Sequence, residues 1–247
     1  MNKLTIGYSS LAERVRNIKF VAGYNNILVV QNPNQISFEM PKAPNLKSIM
    51  LSSKGVAKSR NQALLHCDTE YLLFADDDIT FNNSGIESAV LYLENHPECD
   101  LLLLQAVNPA GQLRKRYPIK AQKLTKFNSA KAATYEMMVR TSTAKNLGIK
   151  FDENFGAGAE NYLGDEYIFI TDLLKAGGKG QSLPIIIATH PDESSATLWN
   201  SEAALSARAK IFSRVFGPIA PLVRLGFILR ARQGIGLIGI IKFVIGR

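Results

Sequence analysis

The sequence predicts an α/β fold with a mostly parallel, doubly wound sheet, helices on both faces and a C-terminal amphipathic helical tail. Three observations predict it. Apolar runs of strand length at residues 4–8, 26–31, 71–75 and 100–107 lack strict apolar–polar alternation, so they read as strands covered on both faces. Segments with helical spacing of apolar residues separate them, the succession that builds a parallel sheet. The 247 residues, 46% hydrophobic and 20% charged, are enough to close a full core.

Residues 4–8 make the first strand, and 11–20 carry the mixed charges of a helix flank. NILVVQ at 26–31 is the second strand, ended by the turn cluster Asn-Pro-Asn, and 46–51 is a short third strand. GVAKSRNQALLH at 55–66 has helical apolar spacing, and the Asp68-Thr69 turn feeds the strand at 71–75. A capping box of Ser84 and Glu87 is expected to open a helix through Asn95, which Pro97 closes. The strand at 100–107 follows. Beyond it lie the basic segment LRKRYPIK at 113–120, a glycine-rich loop at 155–164, a helix at 166–176 and a strand at 184–189.

The charge is unevenly spread. Of 29 bases, Arg208, Lys210, Arg214, Arg224, Arg230, Arg232, Lys242 and Arg247 follow the last acid, Glu202. Residues 1–207 then hold 21 bases and 21 acids, so the formal excess of +8 belongs to the tail. That divides the chain into a domain at 1–207 and a basic, amphipathic tail at 208–247. No tail stretch reaches the ~18 uncharged apolar residues that span a bilayer. Its bases interleaved with Phe, Leu and Ile suit a segment lying on an anionic membrane surface. Those apolar residues argue against a nucleic-acid binder. Cys67 and Cys99 have no zinc-type spacing and read as buried thiols in a reducing compartment.

YLLFADDDITF at 71–81 poses the functional question. Three adjacent carboxylates end a buried strand, at the sheet edge where ligands of open α/β folds bind. They repel one another unless a cation shares the site. Three pieces occur in order: GVAKSRNQAL, then YLLFADDD, then FDENFGAGAENYLGDEYIFITDLLKAG at 151–177. Over residues 4–195 they resemble the family 2 glycosyltransferases of the GT-A, nucleotide-diphospho-sugar transferase, fold. That family shows a Gly-x-x-x-(Ala/Ser)-Arg-Asn helix, an Asp-x-Asp motif and a later Phe-Asp-Glu … Gly … Glu-Asp segment.

The resemblance implies Mn²⁺ or Mg²⁺ as the missing charge, with oxygen ligands for a nucleoside diphosphate. It makes Asp78 the metal ligand and lets Asp76 or Asp77 reach the metal or the donor ribose. It sets Arg60 and Asn61 beside the donor diphosphate, where a guanidinium can fork two oxygens. It brings Tyr8, Ser9 and Ser10 to the nucleotide base, and His190 to the metal. Where the family often has Asp-Asp-Gly-Ser, this chain has Gln31-Asn32-Pro33-Asn34, and the Gln31 amide can hydrogen-bond a uracil edge. In the later acid pair the order is Asp165-Glu166, which by position makes Glu166 the general base and Asp165 the second choice. His66 and His96 read as partners of helix C-termini.

The function so implied is metal-dependent, inverting transfer of a sugar from a UDP-sugar-like donor to a lipid-linked or surface polysaccharide acceptor. The setting it implies is the cytoplasmic face of the cell membrane. The other reading is a non-catalytic sugar-nucleotide-binding partner in a polysaccharide assembly complex. A nucleotidyltransferase is disfavoured because YSSLAER lacks the glycine-rich loop expected after the first strand.

Overall fold

In a computed structural model, residues 2–191, 201–231 and 236–246 are described. The parallel core consists of β1 (Leu4–Leu11), β2 (Asn25–Gln31), β3 (Leu46–Leu51) and β4 (Tyr71–Asp76). The remaining strands are β5 (Thr80–Phe81), β6 (Leu101–Val107), β7 (Gln122–Lys123), β8 (Met137–Arg140) and β9 (Gly180–Thr189). They form one sheet in the order β3-β2-β1-β4-β8-β6-β9-β5, with β7 also beside β9. β8 pairs antiparallel with both β4 and β6, so β4, β6 and β9 point the same way. Ser10, Gln31, Asp76, Val107 and Thr189 therefore come out at one edge.

The α-helices of the sheet are α1 (Val56–His66), α2 (Asn83–Asn95), α3 (Thr141–Asn146) and α4 (Asp165–Lys175). Residues of α1, α3 and α4 join Ile27, Val29, Leu72 and Phe74 in one apolar layer. Those of α2 join Leu4, Ile6, Tyr8 and Leu73 in the other. Alternate residues of β4 thus feed opposite layers, as strands buried on both faces must.

Several elements depart from expectation. Asn82, not Ser84, caps α2: its side-chain oxygen accepts from the Ser84 and Gly85 amides at 3.1 and 3.4 Å. An asparagine two residues upstream satisfies the donors that the Ser84–Glu87 box was expected to meet. β1 runs on to Leu11, and only a 3-10 turn at Ala12–Asn17 follows. β8 and α3 had no sequence signal strong enough to predict them. His96 donates from Nδ1 to the Tyr92 carbonyl at 2.8 Å, and Cys67 and Cys99 are buried free thiols.

The tail forms α5 (Glu202–Phe216), α6 (Ala220–Ala231) and α7 (Leu237–Ile245). One helix thus runs through the position where the sequence divides domain from tail. Glu202–Arg230 is long and apolar enough, by length and composition, to cross a membrane. The chain reverses inside it at Gly217–Ile219, and Arg224 Nη1 reaches back to the Ala209 carbonyl at 3.1 Å. Ile211 and Phe216 of α5 pack on Tyr167 and Ile168 of α4. Ile219, Leu222, Leu225 and Leu229, and then Ile238, Ile241 and Ile245, form exposed stripes at helical spacing.

Tail bases that the sequence left free have partners. Lys210 pairs with Glu160, Arg214 with Asp152 and Asp172, and Lys242 with Glu202. Arg232 and Arg247 lie outside the described residues.

Candidate active site

Two groups of acids meet at the sheet edge, joined by one arginine. Asp76 ends β4, and Asp165 and Glu166 open α4, so residues ninety apart in sequence converge there. Arg60 projects from α1 between them, donating from Nη2 to Asp76 Oδ1 at 2.8 Å and from Nη1 to Asp165 Oδ2 at 2.5 Å. Its side chain is 7% exposed and its Nε has no partner. Burial works against the charge, but Asp76, Asp165 and Glu166 outweigh it and hold the guanidinium above its ordinary value. The fork expected to hold phosphate is thus engaged by carboxylates.

Asp165 is almost wholly buried, whereas Glu166 keeps part of its surface open. The Glu166 carboxyl is pushed well above the usual range, first by burial and then by the charge and hydrogen bond of Asp165. The glycine-rich loop makes this packing possible. Gly156 has φ 95°, and a Cβ there would lie 2.7 Å from the Asp165 carboxyl. The same loop is pinned to α1 by Val56 N donating to the Ala157 carbonyl at 2.9 Å.

The other two acids of the triplet face a cation the sequence reading missed. Arg14, in the 3-10 turn after β1, lies 2.5 Å from Asp77 Oδ1 and 3.4 Å from Asp78 Oδ2. Ser10 Oγ donates to Asp77 Oδ2 at 2.9 Å. Burial nevertheless raises Asp77, against the opposing pull of Ser10 and Arg14. The signal for Arg14 was available, since three adjacent acids demand a cation and LAERVRN follows the first strand directly.

Asp78 Oδ1 is buried without a hydrogen-bond partner and lies 3.7 Å from His190 Nε2. His190 Nδ1 lies 2.5 Å from the Pro191 carbonyl, which can only accept, so that nitrogen carries a proton, and Nε2 is the ring atom turned toward Asp78. Tyr135 stacks on the imidazole, ring centres 4.9 Å apart.

Other predicted residues are placed elsewhere. Tyr8 is fully buried in the core against Phe20, its hydroxyl donating to the Lys19 carbonyl at 3.4 Å. That burial keeps it from the cleft where a nucleotide base would lie. The Gln31 amide is occupied: Oε1 accepts from Gly55 N at 2.7 Å and Nε2 donates to Ser59 Oγ at 3.2 Å. It anchors the start of α1. Asn61 clamps the segment after α3, accepting from Phe151 N at 2.8 Å and donating to the Phe151 carbonyl at 3.0 Å. Ser9 lies beside Asp76 in register, its buried hydroxyl without a partner.

Among the described residues no three His, Cys, Asp or Glu side chains gather as a metal cage. Asp78 Oδ1 and His190 Nε2 fit the other mode, in which one or two protein ligands share a hard cation with substrate phosphates. The proton donated by His190 Nδ1 to a carbonyl is the outer hydrogen bond typical of a ligating histidine.

Comparison with known proteins agrees with this architecture. Residues 34–151 match the family model for Glycosyl transferase family 2. Poly(ribitol-phosphate) beta-N-acetylglucosaminyltransferase TarS of Staphylococcus aureus, strains Mu50 and MW2, is 31% identical over 114 residues, 44% of this chain. The chain spans about 20% of the length of that relative. The crystal structure of S. aureus TarS 1–349 superposes with a TM-score of 0.62 at 16% identity, covering 98% of this chain and 81% of that one. Its complex with UDP-GlcNAc gives 0.59 at 16% identity, covering 94% and 73%. The chain shares the GT-A fold of these structures.

Proposed function

We propose that this family 2-like chain is a metal-dependent, inverting glycosyltransferase that uses a UDP-sugar donor and a lipid-linked or saccharide acceptor. One observation carries the reading: Arg60 joins the acids at the end of β4 to the acid pair opening α4, so a diphosphate corner and a proton acceptor share one cleft. The UDP-GlcNAc complex of the TarS structure supports the donor class.

Mn²⁺ or Mg²⁺ bound by Asp78 and His190, with Asp76 nearby, would neutralise the diphosphate leaving group. The chain's own groups do the rest. Glu166 accepts the acceptor hydroxyl's proton as that oxygen bonds to the anomeric carbon, and the bond from that carbon to the diphosphate breaks with its electron pair leaving on phosphate. Asp165, held by Arg60, keeps Glu166 in place.

Hydrolysis of a panel of nucleotide sugars with and without Mn²⁺ tests donor, metal and activity together. UDP-sugars should be turned over only with metal, and Asp78→Ala should remove that metal-dependent activity without unfolding, since the acid lies at a strand end. Activity that survives EDTA would overturn the metal assignment. No hydrolysis of any donor would favour the non-catalytic partner.

The exposed stripes on α6 and α7 support attachment to the inner face of the cell membrane. Whatever covers them meets an apolar surface, and the chain has no acid after Glu202. Because Lys210, Arg214 and Lys242 are paired within the protein, insertion rather than charge should dominate. The protein should sediment with anionic vesicles even at high salt, and Leu222→Ser with Leu229→Ser should release it. Unchanged sedimentation of that double variant would end the idea.

A further inference from the structure

A strongly basic segment runs beside the site, from the Asp78 side to α4. Between Asp100 and Glu136 the chain carries seven bases and no acid. Lys115 Nζ is held by Glu136 Oε2 at 2.6 Å, and Arg114 Nη1 by the His190 carbonyl at 3.2 Å. Lys126 lies over the rings of Phe127 and Phe216. Arg116, Lys120, Lys123 and Lys131 are exposed and meet no carboxylate among the described residues. The formal count assigned the excess charge to the tail. Three tail bases, Lys210, Arg214 and Lys242, find acids, whereas these four do not.

The basic segment is tied to both halves of the site. Arg114 fixes its start to the residue next to Asp78, and Tyr167, the neighbour of Glu166, donates to the Lys126 carbonyl at 2.5 Å. Between the two anchors lies a cleft of about 440 Å³ whose lining includes Arg116, Tyr117, Ile119, Gln122, Asn128 and Lys131. Glu136 closes it, accepting from Tyr117 Oη at 2.6 Å.

We infer that this cleft holds the acceptor and that the acceptor is a polyanion, a linear saccharide or polyol chain bearing repeated phosphate or carboxylate groups. The inference rests on the transferase reading for the word acceptor, but binding alone tests the charge. Fixed cations along a groove raise the local concentration of such a chain and hold it by displacing its counterions.

Fluorescence anisotropy with labelled inorganic polyphosphate, polygalacturonate and neutral dextran would test it on the full chain. At least one polyanion should bind, more weakly as salt rises, and dextran should not. Binding of polyphosphate alone would assign phosphate, and of polygalacturonate alone carboxylate; either supports the proposal. Lys120→Glu with Lys123→Glu should weaken binding about tenfold or more and flatten the salt dependence, and Arg116→Ala with Lys131→Ala should act in the same direction. Dextran bound as tightly, or unchanged affinity in both double variants, would overturn it. A wild type that binds polyanion but hydrolyses no donor would count against the transferase reading instead.

Discussion

Glu166→Gln is expected to lower sugar transfer by about 10²-fold or more while donor binding stays near normal, the loss typical of a missing general base. The amide keeps the shape of the side chain but cannot take the acceptor's proton. Asp165 is a poor substitute, because it is buried and bound to Arg60. The pH profile follows from the same carboxyl. It must be ionised to act, and burial with Asp165 beside it holds it well above the usual range. Wild-type transfer should therefore rise with pH through that raised value.

Stability moves the other way. Between the ordinary carboxylate value and the raised one the folded chain binds more protons than the unfolded chain, so stability falls as pH rises through this window. The Gln variant has no proton to lose, and at neutral pH it should melt at or above the wild type. A variant that transfers normally, or an Asp165→Asn variant that alone is crippled, would move the base to the other acid.

The second large effect is on the fold. Arg60→Ala leaves Asp165 buried with its main partner removed, and breaking such a pair costs about 3–5 kcal/mol. In a chain of this size that lowers the melting temperature by roughly 10 °C. Arg60→Lys should recover only part of the loss, since one ammonium cannot serve Asp76 and Asp165 as the fork does. A melting temperature within a degree or two of wild type for the Ala variant would show that water replaces the guanidinium.

The parallel strands were legible because Tyr71–Asp76 and its neighbours are buried on both faces, and such runs announce themselves by composition. β8 was not: MMVR is four residues long, and it takes its place from β4 and β6, which flank it. The acids of the site were visible as motifs, but their partners were not. Arg14 is one base among many in the sequence, and only the turn after β1 brings it to Asp77. Gln31 and Asn61 have the right chemistry for a ligand, yet folding uses their amides to fix α1 and the segment at Phe151. A linear charge count cannot anticipate pairing such as Arg214 with Asp172.

The place of β8 also bears on how the chain is made. β4 ends at Asp76, and the strand that covers its second edge begins only at Met137, 61 positions later. At a synthesis rate of about 5–20 residues per second, that edge goes unpaired for roughly 3–12 seconds in each new chain. It carries the apolar stretch Tyr71–Ala75, and an open apolar edge is a template for wrong pairing. Elongation speed between residues 77 and 137 therefore sets how long this edge of β4 stays open in the nascent protein.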